Sequence, residues 1–311
     1  MPPSETTVEL PAVAEPELAP PPTAVARFEI RYSRFLDPKG NAVRPLPDFA
    51  HDRAELVALY RAMVLARRFD AKAVALQRTG RLGTFASALG QEAVPVGVAL
   101  AFKLRREKRA AVCVFGDGAT SKGDVAEALN VAGAWQLPAV FVINNNRWAI
   151  SLPLAQQTTA ETLAQKAIAA GIEGEQVDGN DVIAVREAVS RALAKARSGG
   201  GPHLIEALTY RLGDHTTADD ASRYRNGSEV SARWAEEPIA RLRNYLVAAG
   251  MWGKADEEQL LAEITLTIER AAEAYLATPP QDPEAMFDFT YETLPKELAE
   301  QRQATLGLVR K

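Results

Sequence analysis

The chain has 311 residues, of which 47% are apolar and 24% charged, and its net charge is −4. This size and composition are typical of one large α/β domain, or two ordinary domains, with a substantial core. The slightly acidic balance argues against a nucleic-acid-binding protein, and the lack of an 18-residue apolar segment argues against a transmembrane protein. One cysteine and three scattered histidines exclude an internal disulfide framework and the usual zinc sites.

The first 47 residues are predicted to form a Pro- and Ala-rich extension, and residues 48–311 a single domain. Four glutamates and no basic residue precede Arg27. Secretory signals and organellar transit peptides both need basic residues in this region. We therefore expect a cytoplasmic protein with a partly polyproline-like N-terminal extension.

Strands and helices alternate along the middle of the chain. Apolar runs at 110–116 and 139–145 predict buried strands, with a helix over 119–135 between them. Cys113 lies in the first run, so we expect its thiol to be buried and inert. A third strand is predicted at 203–211. This alternation predicts an α/β fold with a doubly wound parallel sheet.

Helices are predicted where apolar residues recur at helical spacing behind a capping residue. Asp52 is a candidate N-cap, and Thr158 with Glu161 forms a candidate capping box. The helices after residue 235 are charged, so we expect them on the outside of the domain or at an interface. Besides the helix over 119–135, the predicted helices cover residues 52–80, 89–107, 158–171, 181–201, 236–250 and 256–280.

The turn Gly116-Asp117-Gly118 joins the first apolar run to the following helix. In the surrounding stretch "FGDGATSKGD", the residues after the second glycine do not have the order that a P-loop requires. A dinucleotide-binding fingerprint would need a third glycine where Ser121 stands. A nucleotide-binding Rossmann enzyme is therefore disfavoured.

Asp117 and the run Asn144-Asn145-Asn146 follow consecutive predicted strands. The carboxyl ends of neighbouring parallel strands meet at one edge of a sheet, where ligands bind. Carboxylate and amide oxygens suit Mg²⁺, while the flanking glycines and a helix beginning near Ala119 would favour a phosphate. Either turn alone equally suits an ordinary polar loop. Together they predict a site for a metal-chelated diphosphate.

The stretch "FGDGATSKGDVAEALNVAGAWQLPAVFVINNNRWAIS" contains Gly-Asp-Gly, a predicted helix and then Asn-Asn. It resembles the thiamine diphosphate motif in the alpha subunits of 2-oxo acid dehydrogenases, the decarboxylating component of those complexes. The likeness extends from about Arg31 to the C-terminus. It implies the thiamine diphosphate-binding fold with C-terminal helices, and thiamine diphosphate and Mg²⁺ as cofactors.

The resemblance also assigns a metal site. Asp117, the side chain of Asn146 and the main-chain carbonyl of Trp148 would be the Mg²⁺ ligands. From the residues alone, the indole of Trp148 equally suits ordinary core packing. The implied metal role uses only the main-chain carbonyl, so it makes no demand on the indole.

Other residues would contact the cofactor. The resemblance implies that Gly118 and Ala119 meet the diphosphate and that Asn144 lies beside it. In "YRLGDHTTADDASRYR", which is similar to the active-site loop of the family, His215 would be the catalytic residue that faces the diphosphate and the entering lipoyl group. The sequence by itself favours an ordinary surface loop for His215.

The implied activity is the oxidative decarboxylation of pyruvate, with transfer of the acetyl group to the lipoyl domain of an acyltransferase. The carboxylate that activates the cofactor belongs to the beta subunit in this family, so a heterotetramer is expected and the chain alone should be inactive. The contexts "LGQEAVPVG" and "GDGATSKGD" favour pyruvate, whereas "RLGDHTTADDASRYR" is also similar to branched-chain 2-oxo acid dehydrogenases.

One stretch departs from the family. Members usually have a long segment, including a Tyr-Arg pair on the cofactor phosphates, between a Gly-Gln-Glu helix and the strand that leads to Gly-Asp-Gly. Here Gly90-Gln91-Glu92 runs almost directly into that strand. We therefore expect an internal deletion near residue 100 and weakened cofactor binding. The alternatives are a shortened, non-catalytic scaffold relative, or a chain in which residues 211–225 fill the gap.

Overall fold

The computed structural model describes residues 28–84, 110–279, 282–283, 285–288 and 291–309. The helix predicted at 89–107 and the deletion expected near residue 100 lie outside these residues, as does most of the predicted N-terminal extension. The domain boundary at residue 47 stays a prediction. Ahead of it, the short strand β1 (Tyr32–Ser33) is followed by Phe35 and Leu36, which are buried in the core.

In the part of the chain that the structure describes, the central sheet contains five parallel strands. After β1 these are β2 (Ala111–Gly116), β3 (Ala139–Asn145), β6 (Glu173–Asp178) and β7 (His203–Leu208). Their order in the sheet is β1-β6-β7-β3-β2. A separate antiparallel ribbon pairs β4 (Trp148–Ala149) with β5 (Leu152–Pro153). The three predicted strands are confirmed, whereas β1 and the polar β6 were missed.

Helices cover both faces of the sheet, as a doubly wound fold requires. Asp52 is confirmed as an N-cap, because its side chain accepts a hydrogen bond from the main-chain nitrogen of Ala54 at 2.8 Å. The described helices are α1 (Arg53–Arg78), α2 (Gly123–Ala134), α3 (Leu154–Gln157), α4 (Lys166–Ala169), α5 (Val182–Arg197), α6 (Gly227–Arg233), α7 (Pro238–Ala248), α8 (Lys254–Ala277), α9 (Ala285–Asp288) and α10 (Lys296–Val309).

Two of the three apolar clusters among the described residues pack the helices against the sheet. The larger contains side chains from α1, α5, α7 and α8 together with inward-facing residues of β3 and β7. The smaller packs α2 and α4 against the other face, around Leu129, Ile143, Leu163 and Leu204. Within the described part of the chain, no helix is both long and apolar enough to span a bilayer.

The predicted capping box is wrong in its position. Thr162 and Gln165, rather than Thr158 and Glu161, exchange the two hydrogen bonds of a capping box, at the start of a short 3-10 helix. Thr158 instead follows α3 in an extended conformation. The single predicted helix is therefore replaced by α3, the 3-10 helix and α4, which ends just before Gly171.

The prediction that β2 is buried is also wrong. Among the described residues, β2 is an edge strand of the sheet and pairs with β3 alone, and Cys113 is exposed and Val114 is 46% exposed. β3, which has a similar apolar sequence, is buried as predicted. The difference arises because burial of a strand depends on its place in the sheet, which an apolar run does not encode.

Candidate functional site

Asp117 is the first residue after β2 and begins a 3-10 helix, Asp117–Ser121. It is 1% exposed, and Nε2 of Gln157 donates a hydrogen bond to its Oδ2 at 3.0 Å. The main-chain N–H of Asn146, which donates to the carbonyl of Asn144 at 3.1 Å, also lies near enough to the carboxylate to lower its pKa. Burial raises the pKa of Asp117, and the hydrogen bonds offset this only in part. The carboxylate is thus fixed beside the residue predicted to share a metal ion with it.

The asparagine run lies at the carboxyl end of β3, as predicted. Oδ1 of Asn144 accepts a hydrogen bond from Oγ1 of Thr209 at 2.7 Å. Oδ1 of Asn146 accepts one from the main-chain nitrogen of Trp148 at 3.1 Å. An amide oxygen has two lone pairs, so this bond leaves Asn146 Oδ1 able to accept once more or to ligate a cation.

Asn145 has a structural partner instead. Its Nδ2 donates to Oε1 of Glu206 at 2.7 Å, and both residues are buried. The other carboxylate oxygen of Glu206 accepts from the main-chain nitrogen of Ala164 and from Nε2 of Gln176, each at 2.9 Å. Glu206 therefore ties the asparagine run to the capping-box turn and to β6.

The turn after the asparagine run has an unusual backbone. Arg147 and Ile150 both have positive φ, +74° and +56°. For a β-branched residue such as Ile150 this conformation is a clear outlier, of the kind found at functional turns. The two strained residues bracket β4 and so fix the direction of the main-chain carbonyl of Trp148, which lies 3.5 Å from Nη1 of Arg211.

Gly118 brings the two turns into contact. A Cβ atom on Gly118 would lie 2.7 Å from Cβ of Ala149, closer than such atoms approach. Gly118 and Ala119 belong to the 3-10 helix, and α2 begins only at Gly123. The expected α-helix start near Ala119 is therefore wrong by four residues, because the tight 3-10 turn comes first.

A chain of hydrogen bonds connects this turn to the loop that contains His215. Nη2 of Arg211 donates to the carbonyl of Ile150 at 2.6 Å and to the hydroxyl of Tyr224 at 3.0 Å. The Tyr224 hydroxyl donates to Oδ2 of Asp219, which also accepts from the main-chain nitrogen of His215 at 2.9 Å. The loop is thus anchored at the site, while the catalytic role of His215 stays a prediction.

The oxygen atoms present suit Mg²⁺. Among the described residues, no group of three or more His, Cys, Asp or Glu side chains is placed to hold a metal ion. The set that remains is a carboxylate, an amide oxygen and a carbonyl, from Asp117, Asn146 and Trp148. Mg²⁺ binds few protein oxygens and completes its shell with water and phosphate. Arg211 adds a positive charge that favours both the ionised Asp117 and an anionic diphosphate.

Sequence reasoning missed the residues that support this site. Gln157 bonds to Asp117, Thr209 to Asn144, and Arg211 to the carbonyl of Trp148. Tyr224 bonds to Asp219, which also accepts from the main-chain nitrogen of His215. Glu206 had a usable signal, because a lone acidic residue inside the apolar run "HLIEAL" must find partners when it is buried. For Gln157 the sequence contains no comparable signal.

The sequence matches a family model described as "Dehydrogenase E1 component" over residues 94–284. It is 46% identical over 209 residues to the 3-methyl-2-oxobutanoate dehydrogenase subunit alpha of Mycobacterium tuberculosis, with 67% of this chain and 57% of that protein aligned. The chain thus spans little more than half the length of this relative.

Longer alignments were found with two staphylococcal proteins. The pyruvate dehydrogenase E1 component subunit alpha of Staphylococcus epidermidis is 36% identical over 345 positions, which take in 89% of this chain and 92% of that protein. The Staphylococcus aureus protein of the same name is 35% identical over the same shares. Because 89% of 311 residues is about 277, about 70 of the 345 positions lie opposite gaps in this chain.

Proposed function

The chain belongs to the dehydrogenase E1 component family, and we propose that it is the alpha subunit of a thiamine diphosphate-dependent 2-oxo acid dehydrogenase. In this role it takes part in the oxidative decarboxylation of a 2-oxo acid and in acyl transfer to the lipoyl domain of an acyltransferase. The observation that carries the proposal is the meeting of the Asp117 turn and the Asn146 turn at one edge of the sheet, with Gly118 against Ala149.

Different residues would bind the metal ion and the diphosphate of the cofactor. Asp117, Asn146 and the Trp148 carbonyl would hold Mg²⁺, and the Gly118 backbone would lie close to the diphosphate. Thiamine diphosphate, when bound, supplies the electron sink for decarboxylation, while the protein supplies binding, orientation and electrostatics.

Other residues position the proposed cofactor-binding residues. Thr209 fixes the amide of Asn144, and Arg211 fixes the backbone of the 148–150 turn. Through Tyr224 and Asp219 the same hydrogen-bonded chain orders the loop of His215, the residue proposed to face the diphosphate and the lipoyl group. The beta subunit would complete the site in a heterotetramer.

Pyruvate is the first candidate substrate. The relatives aligned over most of their length are named as pyruvate dehydrogenase subunits, whereas the more identical but shorter match is named for 3-methyl-2-oxobutanoate. A branched-chain 2-oxo acid is therefore the second candidate. A pocket distinguishes substrates by about 1–3 kcal/mol per methylene group, so a few side chains decide between them.

The staphylococcal alignment leaves about 70 positions without a counterpart in this chain, and we propose that an internal deletion near residue 100 accounts for them. If the missing segment includes an arginine that binds the diphosphate, one charge-assisted contact is lost, worth about 1.5–3 kcal/mol. Affinity for thiamine diphosphate would then fall about tenfold to a hundredfold. A non-catalytic scaffold role is the alternative if the missing segment is needed for cofactor binding.

The proposal is tested by co-expressing the chain with a beta subunit of the same family. Calorimetry measures binding of thiamine diphosphate with Mg²⁺, and an artificial electron acceptor measures turnover of pyruvate and of 3-methyl-2-oxobutanoate. We expect measurable, Mg²⁺-dependent cofactor binding and faster turnover of pyruvate. Binding without turnover of either substrate would favour the scaffold role.

A matched pair of variants tests the metal ligands. Asp117→Ala should abolish Mg²⁺-dependent cofactor binding, whereas Asp124→Ala, which removes an exposed carboxylate in the first turn of α2, should leave it unchanged. Full activity of Asp117→Ala would contradict the metal assignment. Equal losses in both variants would show a general effect of charge instead.

A further inference from the structure

A cavity of about 190 Å³ opens at the carboxyl ends of β1, β6 and β7. Its walls include Tyr32 of β1, Asp178 at the end of β6, and Leu208 and Thr209 at the end of β7. None of the proposed Mg²⁺ ligands lines it. The volume is below the range of about 300–1,000 Å³ typical of pockets for drug-sized ligands, so a small ion or molecule fits it better than a nucleotide.

Four arginines and two acidic residues line this cavity. Two of the arginines are paired: Nη1 of Arg241 lies 2.7 Å from Oδ2 of Asp178, and Nη1 of Arg233 lies 3.2 Å from Oε2 of Glu236. In each pair the positive and the negative charge cancel, so the two pairs add little net charge to the cavity.

The other two arginines, Arg34 and Arg147, have no carboxylate partner within salt-bridge distance among the described residues. Arg34 is half-buried just after β1, and Arg147 is held by the strained turn after β3. Two unpaired guanidinium groups on one small cavity leave a net charge of about +2, which favours a dianion. Guanidinium groups match phosphate oxygens well because they can donate two parallel hydrogen bonds.

A buried amide supplies a separate observation. Asn180 lines the cavity and is 7% exposed, yet its Oδ1 has no hydrogen-bond partner in the described part of the chain. Such groups are rare in native proteins and usually indicate a water or ligand. A hydrogen phosphate ion has both oxygens that accept from arginine and an O–H that an amide oxygen can accept.

We propose that the cavity bounded by Arg34, Arg147 and Asn180 binds a phosphate dianion, either inorganic phosphate or the phosphate group of a small monoester. None of the residues proposed to hold Mg²⁺ or the diphosphate lines this cavity, although Arg147 lies between the proposed ligands Asn146 and Trp148 in sequence. All of the lining residues belong to this chain, so phosphate binding can be tested without a beta subunit.

The test is calorimetric titration of the full chain with inorganic phosphate in a chloride buffer, at a pH where phosphate is a dianion. We expect saturable binding that Arg34→Gln weakens about tenfold or more and that Arg34→Glu removes. The matched control is Arg68→Gln, an exposed arginine of α1 that does not line the cavity, and it should bind as the wild type does. Thermal unfolding, monitored by circular dichroism, checks that the variants are folded.

Further titrations identify the source of the phosphate and the outcomes that contradict the proposal. Tighter binding of glycerol 2-phosphate than of inorganic phosphate would indicate a monoester, and weaker binding would indicate the free ion. The proposal is overturned if the wild type shows no saturable binding, if Arg34→Gln and Arg68→Gln bind equally, or if acetate binds as tightly as phosphate. Equal binding by the two variants would place the phosphate at another site, such as the one beside Gly118.

Discussion

The strands β2 and β7 pair with opposite sides of β3, yet their environments differ sharply. Every residue of β7 except the last is buried, whereas no residue of β2 is. The sequence of β7 contains His203 and Glu206, while β2 is entirely apolar apart from its final glycine. Burial is therefore set by the order of strands in the sheet, and polar residues are accepted in the interior where each has a partner.

The site at the carboxyl ends of the strands is built from both the exposed and the buried strand. Asp117 and Gly118 follow the exposed strand β2, whereas Thr209 and Arg211 follow the buried strand β7. Asp117 itself is 1% exposed, so burial begins again directly after the exposed strand. The β7 side of the site supplies the positioning residues, and the β2 side supplies the proposed metal ligand Asp117. Substitutions on the two sides of the sheet should therefore differ in their effect on stability.

Glu206→Ala should have the largest effect, because it removes the acceptor for three hydrogen bonds in the interior of the sheet. Each buried donor left unpaired costs about 1–3 kcal/mol, so we expect a loss of about 3 kcal/mol or more in the free energy of unfolding. Urea unfolding measures this change. Glu127→Ala, on the exposed face of α2, is the control and should change stability by less than about 0.5 kcal/mol. A loss below about 1 kcal/mol for Glu206→Ala would contradict this account of β7.

Two valines that lie opposite each other on neighbouring strands test the difference in burial between β2 and β3. Val114 and Val142 lie opposite each other, but Val142 is fully buried and Val114 is 46% exposed. Val142→Ala should cost about 2 kcal/mol through lost burial and the cavity that remains, and Val114→Ala less than about 1 kcal/mol. The midpoints of denaturant unfolding decide between them. Similar losses in the two variants would mean that β2 is covered in solution.

The sequence predicted the elements whose patterns are local. The helix after Asp52 and the strands at β3 and β7 carried clear periodicity or apolar runs, and the structure confirms them. β6 was missed because its sequence, "EGEQVD", is polar, and its burial depends on partners elsewhere: Glu175 bonds to His203 and Arg191. Partners of this kind are far apart in sequence, so no local pattern reveals them.

The sequence also predicted some residues of the site and missed others. The meeting of Asp117 with the asparagine run followed from parallel strands ending at one edge, and the structure brings the two turns together. The supporting residues Gln157 and Arg211 act across 40 and 63 positions of sequence, to Asp117 and to the carbonyl of Trp148. Their roles depend on the path of loops, which composition and spacing do not fix.

Two neighbouring glycines test how tightly the β2 side of the site is packed. Gly118→Ala would place a methyl group 2.7 Å from Cβ of Ala149, whereas Gly116→Ala meets no atom within 4 Å. We expect Gly118→Ala to lose at least about 1 kcal/mol of stability and to weaken binding of thiamine diphosphate, because the two turns must separate. Gly116→Ala should change little in either thermal unfolding or calorimetry. Equal behaviour of the two variants would show that the turns are not packed as described.

The smallest expected effect concerns a pH-dependent contact between β6 and β7. Burial by itself would raise the pKa of Glu175, but hydrogen bonds from His203 and Arg191 outweigh it and leave the pKa lowered. A carboxyl group whose pKa is lower in the folded state adds stability above its unfolded pKa. That stability is lost as the pH falls through the folded value.

Glu175→Gln should therefore cost stability at pH 7, on the order of 1 kcal/mol, and the difference from the wild type should shrink as the pH falls below about 4. Urea unfolding at a series of pH values measures both trends. Glu127→Gln on the exposed α2 surface is the control, and its difference from the wild type should stay near zero throughout. A constant difference between Glu175→Gln and the wild type from pH 7 to pH 3 would show that packing, rather than the charge of Glu175, joins β6 to β7.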